Sequence, residues 1–328
     1  MSCPSLGRVG SPDPFQTTKG NPARGLALTI VRDYAEAHPH PMTPVTVIIL
    51  THNEERNIGD CVRSVAWAED VIVVDSGSTD GTVPAATQAR SDLRVFQHPF
   101  QDFGDQRNWS LDETSPRHNW VLFLDADERC TSELARAISQ TVTQDSDVVG
   151  YYLCYRNFFL GRWIKRCTRF PTWQLRLLKR GQVRYEKMGH GQQEVTSGRL
   201  DYIHQPYDHY GFSQGVSHWI ARHNRYSSEE IGLILSLRQQ PLALGDLRRS
   251  DRMARTRCMK RIAARLPFRP LIGFLYLYVW KRGFLDGYAG LMFCLLRLTH
   301  EIHMLVKLEE LRLSENSKSE FRNSKSVT

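Results

Sequence analysis

Residues 121–128 read Val-Leu-Phe-Leu-Asp-Ala-Asp-Glu: four apolar residues are followed at once by a run of acids. A continuously apolar run of this length is typical of a buried parallel strand, whereas a half-exposed strand would alternate. Asp125 and Asp127, two residues apart at the end of the strand, can both reach one divalent cation, and their hard oxygens suit Mg²⁺ or Mn²⁺. The same acids would also fit a solvated turn before a helix, since acids favour helix N-termini.

The same arrangement occurs twice upstream. Val45–Leu50 ends in the polar residues 51–55, and Val71–Val74 ends in a Gly/Ser/Asp loop that runs from 75 to 82. Asn53 is expected to cap a helix over 54–66; a helix over 83–90 and a strand over 93–96 follow. This alternation predicts an α/β fold with an open, mostly parallel sheet. Ligands bind such sheets outside the carboxyl ends of the strands, so the three polar clusters predict one binding cleft.

The rest of the chain divides by composition. Strands over 149–155, 172–178 and 183–185 are expected to form an antiparallel part of the sheet, and the chain turns helical from 212 to about 236. Nine arginines and lysines between 248 and 269 precede an apolar, aromatic segment at 271–280. We expect four parts: a disordered leader (1–43), an α/β domain (44–240), a basic amphipathic helical region that associates with a membrane (241–313) and a polar tail (314–328).

The net charge and the cysteine content indicate the kind of partner and the cellular compartment of this protein. Lysine and arginine exceed the acids by 43 to 35, a net charge of +8, which favours an anionic partner. The seven cysteines include no C-x-x-C pair, which fits a reducing cytoplasm. The first residues lack the apolar core of a signal peptide, and no apolar run reaches the ~18–20 residues of a spanning helix. We therefore expect a cytoplasmic protein that touches a membrane without crossing it.

Four stretches together resemble glycosyltransferase family two, the inverting GT-A enzymes: VIILTHNEERNI (47–58), VIVVDSGSTDGT (71–82), FGDQRNWSL (103–111) and FLDADER (123–129). The resemblance is strongest over 45–137 and extends over roughly 44–310. Residues 189–226 and the GFLDG segment at 283–287 resemble the bacterial subgroup that builds lipopolysaccharide core and exopolysaccharide.

The resemblance implies a GT-A fold, a nucleotide-sugar donor and a role for each matching residue. Thr51, Asn53 and Glu54 would line the pocket for the base and ribose, and Asp75 would contact the base, with uracil favoured. Arg107 would approach the nucleotide. Asp125 would reach the ribose, and Asp127 would bind the metal, Mg²⁺ or Mn²⁺.

Inverting transfer also requires a base that takes the acceptor's proton, and this base must lie downstream on the acceptor side. The segment Gly-His-Gly-Gln-Gln-Glu at 189–194 is the best candidate. The resembled subgroup implies a Glu here, usually in a His-Glu pair; this sequence departs from that pattern, because Gln193 precedes Glu194. Glu194 is favoured as the base, and His190 is the second candidate. Further possible contacts to the diphosphate or the acceptor are Arg169, Arg176 and His209.

The basic run and the aromatic segment after it predict peripheral attachment to the inner face of the plasma membrane, where a glycolipid or polysaccharide acceptor is available. The aromatic residues expected at headgroup level are Phe268, Phe274, Tyr276, Tyr278, Trp280 and Phe284. The alternative is a helical subdomain with a solvated basic face; no nucleic-acid motif accompanies the arginines. Two other functions stay open: a nucleotidyltransferase on a similar sheet, and a non-catalytic membrane scaffold.

Overall fold

A computed structural model describes residues 42–188, 191–248, 252–266 and 268–325. The expected leader therefore lies almost entirely outside the described residues, as does His190. The strands are β1 Thr43–Thr51, β2 Ala68–Asp75, β3 Arg94–Gln97, β4 Trp120–Asp125, β5 Glu128–Arg129, β6 Val148–Phe159, β7 Arg162–Trp163, β8 Trp173–Lys179, β9 Arg184–Met188, β10 Gly191–Val195 and β11 Arg199–His209. The α-helices are α1 Ile58–Ser64, α2 Thr82–Ala89, α3 Phe103–Glu113, α4 Ser132–Val142, α5 Val216–Gln239, α6 Arg252–Ala263, α7 Arg269–Leu275 and α8 Gly287–Lys325.

The main sheet has the order β3-β2-β1-β4-β8-β6-β11-β5, and β7 pairs with β6. The pairs β3/β2, β2/β1 and β1/β4 are parallel, whereas β8 lies antiparallel between β4 and β6. A separate antiparallel hairpin is formed by β9 and β10. The fold class is thus confirmed: a mostly parallel sheet with helices on both faces.

Each face of the sheet buries an apolar layer. Val47, Ile49 and Leu122 point toward α1, α2 and α4 and are completely buried there. Ile48 and Phe123, one position along, point to the other face, which is covered by α3 and the β9–β10 hairpin. Strands buried on both faces cannot alternate apolar with polar residues, which explains the continuous apolar runs of β1, β2 and β4.

Two local expectations differ from the structure. Helix α1 begins at Ile58, not at Glu54, and Asn53 does not cap it: Asn53 has a left-handed backbone with φ of 54°. The segment 199–209, which carried no strand prediction, is the long strand β11 parallel to β6. Helix α4 does have a side-chain cap, because Thr131 Oγ1 accepts a hydrogen bond from the Leu134 amide.

The C-terminal helices pack on the α/β domain. Ile231 and Ile234 of α5 form one apolar cluster with Met304 and Leu308 of α8. A second cluster joins Phe159, at the end of β6, to the C-terminal segment. The described residues from 42 onward belong to one compact unit, in which the expected parts 44–240 and 241–313 pack against each other.

Helix α8 differs from two expectations: that no segment is apolar enough over the length of a spanning helix, and that residues 314–328 are a polar tail. It continues to Lys325, so most of the expected polar tail is helical. The stretch 283–314 is long and apolar enough, by length and composition alone, to cross a membrane, and 28% of its most apolar window is buried inside the protein.

Candidate active site

The three polar clusters meet at one edge of the sheet, as the sequence predicts. Thr51 at the end of β1 pairs with Asp75 at the end of β2. Leu50 pairs on the other side with Asp125 at the end of β4. Since the three strands are parallel and adjacent, their carboxyl ends form a continuous edge about 10 Å wide, two strand spacings.

Hydrogen bonds join the loop after β1 to the loop after β2. The left-handed backbone of Asn53 lets its amide donate to Ser78 Oγ (2.8 Å) while its Oδ1 accepts from the Thr79 amide (2.8 Å). The Glu54 amide donates to Thr82 Oγ1 (2.8 Å). These bonds fix both loops as one wall of the cleft, and the predicted capping residue Asn53 acts between loops.

Asp75 is completely buried and organises its own loop. Its Oδ2 accepts from the Ser78 amide at 3.0 Å, and its Oδ1 accepts from Ser78 Oγ. Each carboxylate oxygen keeps a second lone pair for another donor. Contact between Asp75 and a base would nevertheless require the 76–79 loop to move aside.

Asp125 lies between two buried guanidinium groups. Arg176 on β8 donates to Asp125 Oδ2 at 2.8 Å, and Arg107 on α3 donates to Oδ1 at 3.2 Å. Arg176 also donates to Glu128 Oε1 (2.6 Å), while Glu128 Oε2 accepts from the Asp125 amide (2.9 Å). These hydrogen bonds join the end of β4 to Arg176 on β8 and form one charged cluster at the strand edge.

Burial and neighbouring charges shift the pKa values in opposite directions. Burial opposes ionisation of Asp125, but Arg176 and Arg107 outweigh it and hold the pKa of Asp125 well below its usual range. Burial, with the charges of Asp125 and Asp127, raises the pKa of Glu128 to about 7. The cluster therefore keeps Asp125 ionised at neutral pH.

Asp127 faces His209, which the sequence names only as a possible contact to the diphosphate or the acceptor. His209 Nε2, at the end of β11, is 3.4 Å from Asp127 Oδ2, while His209 Nδ1 is 2.6 Å from Asn157 Oδ1. The amide oxygen can only accept, so Nδ1 carries a proton and Nε2 is aimed at Asp127. Burial opposes the charged form of His209, yet Asp127 raises its pKa; burial likewise opposes ionisation of Asp127, and His209 lowers its pKa.

Glu54 completes this side of the cleft. Its Oε2 accepts from Asn57 Nδ2 at 2.5 Å. Burial, followed by the negative charge of Asp127, raises the pKa of Glu54. Within the described ranges, no group of three or more His, Cys, Asp or Glu side chains is arranged to hold a metal by itself; Asp127 and His209 are a pair.

Three buried polar atoms at this edge have no hydrogen-bond partner among the described residues: Thr51 Oγ1, Gln106 Oε1 and Arg107 Nε. An unpaired buried polar atom costs about 1–3 kcal/mol, and native structures contain few. Their position around one strand edge is typical of a site that a polar ligand completes.

Glu194 reaches the cleft through the β9–β10 hairpin. Asn108 on α3 exchanges two hydrogen bonds with the Tyr185 backbone (2.8 and 3.0 Å), which anchors β9 to the helix. On β10, Gln192 accepts from Arg107 at 2.8 Å. Glu194, two residues further, points to the same face and accepts a hydrogen bond from Tyr152 Oη. Burial and Glu194 together raise the pKa of Tyr152, so the phenol stays protonated and donates.

The structure thus brings together Thr51, Asn53, Glu54, Asp75, Arg107, Asp125 and Asp127, and connects Glu194 to them through Gln192 and Arg107. Arg176 was only a possible diphosphate contact in the sequence, yet it is the central cation of the network. Its signal was a charged residue inside the apolar run of β8, which is costly unless paired. His209 was likewise only a possible diphosphate or acceptor contact, and its pairing with Asp127 could not be predicted because the two residues lie 82 positions apart in the chain.

Comparison with known proteins gives one family. The model of "Glycosyl transferase family 2" matches residues 46–220, which is more than half of the chain. The chain is 29% identical over 149 residues to the lipopolysaccharide core biosynthesis glycosyltransferase LpsC of Rhizobium meliloti, covering 44% of this chain and 54% of LpsC. It is 34% identical over 114 residues to an uncharacterized glycosyltransferase of Rickettsia bellii, covering 34% and 36% of the two chains. The match thus spans about half or less of these relatives.

Solved structures are more distant. S. aureus TarS 1-349 in complex with UDP has a TM-score of 0.40 and 15% identity, covering 83% of this chain and 92% of that one. Glucosyl-3-phosphoglycerate synthase from Mycobacterium tuberculosis, in complex with Mn²⁺, UDP-glucose and phosphoglyceric acid, has a TM-score of 0.29 and 21% identity, covering 38% and 46%.

Proposed function

Because the chain belongs to glycosyl transferase family 2, we propose that it transfers a sugar from a nucleoside-diphosphate sugar to a glycolipid or polysaccharide acceptor, inverting the anomeric carbon. A UDP-sugar is the favoured donor. The observation that carries this proposal is the convergence of Asp75, Asp125 and Asp127 at one strand edge, beside three unpartnered buried polar atoms.

The residues present fit a divalent cation. Asp127 Oδ2 and His209 Nε2 are 3.4 Å apart, close enough to hold one ion between them. Mg²⁺ is commonly bound by one or two carboxylates plus substrate phosphates, so two protein ligands suffice in a nucleotide site. Asp125 stays the candidate second carboxylate, although both its oxygens already accept from arginines. A bound Mg²⁺ or Mn²⁺ would stabilise the diphosphate as it leaves.

In the proposed reaction, the bond between the anomeric carbon and the diphosphate oxygen breaks as the acceptor oxygen bonds to that carbon. Glu194 takes the proton of the acceptor hydroxyl. The phenol of Tyr152 donates to Glu194 Oε1 and so orients the carboxylate, leaving the other oxygen to act as the base. Arg107 and Arg176 supply positive charge beneath the diphosphate. His190 remains the second candidate for the base and lies outside the described residues.

A membrane-bound acceptor fits both the relatives and the surface. The name of LpsC concerns the biosynthesis of lipopolysaccharide core, and a lipopolysaccharide is itself a glycolipid. Phe268 and Trp280 are 77% and 78% exposed, and Arg269, Lys281 and Arg282 lie beside them in sequence. Aromatic and basic residues together are typical of a membrane interface. We therefore place the protein on the inner face of the plasma membrane as a peripheral protein.

Not every residue of the basic and aromatic segment is free to serve in the proposed attachment. Phe274 and Tyr278, expected at headgroup level, pack instead against the buried cluster that contains Cys167 and Cys294. Arg265 donates hydrogen bonds to the carbonyls of Leu237 and Gln240 at the C-terminal end of helix α5. This member of the basic run is therefore bound to the protein itself. Arg255, Arg257 and Lys260 are exposed, and the side chains at 248, 249 and 252 lie outside the described ones.

Serine at both Phe268 and Trp280 is expected to weaken binding to vesicles of phosphatidylglycerol and phosphatidylcholine by at least about tenfold, because each exposed aromatic loses over 1 kcal/mol of apolar burial. Co-sedimentation measures the effect. Phe100→Ser, which removes an exposed aromatic far from this segment in the chain, is the matched control and should bind like the wild type. Equal binding of all three proteins would contradict the assignment of this surface.

Release of UDP tests the activity itself. With Mn²⁺ and a glycolipid extract of bacterial envelopes, the wild type should release UDP from at least one of UDP-glucose, UDP-galactose and UDP-N-acetylglucosamine. Release should depend on the extract, because water is a poor substitute for a positioned acceptor. If no donor is consumed above the rate without protein, the proposal fails for UDP-sugars.

A further inference from the structure

Four aromatic side chains form a continuous surface on strands β8, β6 and β11; we call Tyr152, Trp173, Tyr202 and His204 the aromatic shelf. Tyr202 pairs in register with Tyr152, and their rings stack with centroids 5.2 Å apart. Trp173 meets Tyr202 edge to face at 4.9 Å and His204 at 5.3 Å. The rings support one another across three strands, so the surface is fixed before any ligand arrives.

The shelf is open to solvent. Tyr202 is 49% exposed, although its ring contacts two other aromatic rings. His204 is exposed, and Trp173 and Tyr152 are only half-buried. Packing alone would be satisfied by rings that cover one another, whereas here an aromatic residue, Tyr202, and a polar one, His204, stay exposed side by side. Such a combination fits a ligand with one apolar face and polar edges.

The shelf begins at the candidate base. Tyr152 is both a member of the shelf and the donor of the hydrogen bond to Glu194 Oε1. Through the hairpin, Glu194 is two residues from Gln192, which accepts from Arg107 at 2.8 Å. A connected chain of contacts therefore runs from the aromatic rings through the candidate base to Arg107 beside the proposed nucleotide site.

The shelf also lies toward the edge of the sheet that carries the acids. Strand β6 runs parallel to β4, because β8 is antiparallel to both. Leu177 on β8 pairs with Leu122 on β4 and with Tyr151 on β6, so Leu122 and Tyr151 lie at the same height along the sheet. Tyr152 follows Tyr151 in the same direction in which β4 runs from Leu122 to Asp125. A group resting on the shelf thus faces the same cleft from the side opposite β1 and β2.

We propose that the aromatic shelf binds a pyranose ring of the acceptor and holds one of its hydroxyls at Glu194. A pyranose presents weakly polarised C–H groups on a face, which the negative face of an aromatic ring attracts, and hydroxyls around its edge. Tyr202 would take the face, while His204 and Glu194 would take hydroxyls. This inference rests on the proposed function and adds to it the residues that hold the accepting sugar ring beside Glu194.

Saturation-transfer NMR tests the shelf with the methyl glycosides of glucose, galactose, mannose and N-acetylglucosamine, in the presence of UDP and the diamagnetic ion Mg²⁺. The full chain is used as wild type, Tyr202→Ala and Tyr202→Phe. Tyr288→Ala is the matched control, because Tyr288 is 70% exposed on α8 and outside the shelf. We expect transfer to ring protons of at least one glycoside with the wild type, Tyr202→Phe and Tyr288→Ala. Tyr202→Ala should weaken it about fivefold.

Equal saturation transfer with Tyr202→Ala and the wild type would overturn the proposal. So would a lack of saturation transfer from the wild type to any of the four glycosides. Calorimetric binding of UDP to the same samples separates the two levels. If UDP binds the wild type and Tyr202→Ala gives the same saturation transfer as the wild type, only the proposed acceptor site is wrong. If UDP does not bind to the wild type, the proposed donor is wrong as well.

Discussion

Glu194→Gln is expected to lower the rate of sugar transfer by about 10²–10⁴-fold, the usual contribution of a positioned general base. The amide keeps an oxygen that can accept the hydrogen bond from Tyr152 Oη, so the hairpin should keep its place. Nucleotide binding should be unchanged, since the groups that surround the strand edge are untouched. Label from a radioactive UDP-sugar, followed into a glycolipid extract, measures the rate.

Glu186→Gln is the matched control for this change. Glu186 lies on β9 of the same hairpin, is exposed, and pairs in register with Gln193, on the face away from the cleft. It should transfer at the wild-type rate. If Glu194→Gln also transfers normally while UDP binding is intact, the base lies elsewhere, and His190 becomes the first residue to change.

Asp127→Ala is expected to reduce transfer by about 10³-fold or more, because the loss of a metal ligand removes several kcal/mol of stabilisation from the leaving diphosphate. His209 would lose its carboxylate partner at 3.4 Å and could not hold the cation alone. Steady-state transfer over a range of Mn²⁺ concentrations measures the effect. Rates that rise again at high Mn²⁺ would mark a weakened site, not an unfolded protein.

Asp145→Ala serves as the control, since Asp145 is an exposed acid between α4 and β6. Its rate and its Mn²⁺ dependence should match the wild type. Full activity of Asp127→Ala, with the same metal dependence, would remove Asp127 from the metal site and leave Asp125 as the remaining carboxylate to test.

The parallel part of the sheet was predictable because local sequence decides it. The runs before Thr51, Asp75 and Asp125 are continuously apolar, and each ends in polar residues, so both the strands and their common edge follow from neighbouring residues. Long-range contacts were not predictable in this way. Arg176 meets Asp125 across 51 positions, and only the order of β4 and β8 in the sheet brings them together.

Two further differences have local physical causes. Asn53 is a good capping residue, but its left-handed backbone and its bonds to the 78–79 loop offered a competing use for the same side chain. Strand β11 mixes buried Ile203 and Tyr207 with exposed His204, and it contains a bulge, so neither alternation nor a continuous apolar run marks it. The aromatic shelf lies on this strand and was missed with it.

The proposed nucleotide site is tested most directly by calorimetric titration of UDP, GDP and NAD into the wild type and Asp127→Ala, each with and without Mn²⁺. We expect that UDP binds the wild type, that binding weakens at least about tenfold without Mn²⁺, and that Asp127→Ala loses this dependence. NAD should not bind in either condition. If neither UDP nor GDP binds the wild type in a metal-dependent way, the cleft at the strand ends is not a nucleotide-sugar site.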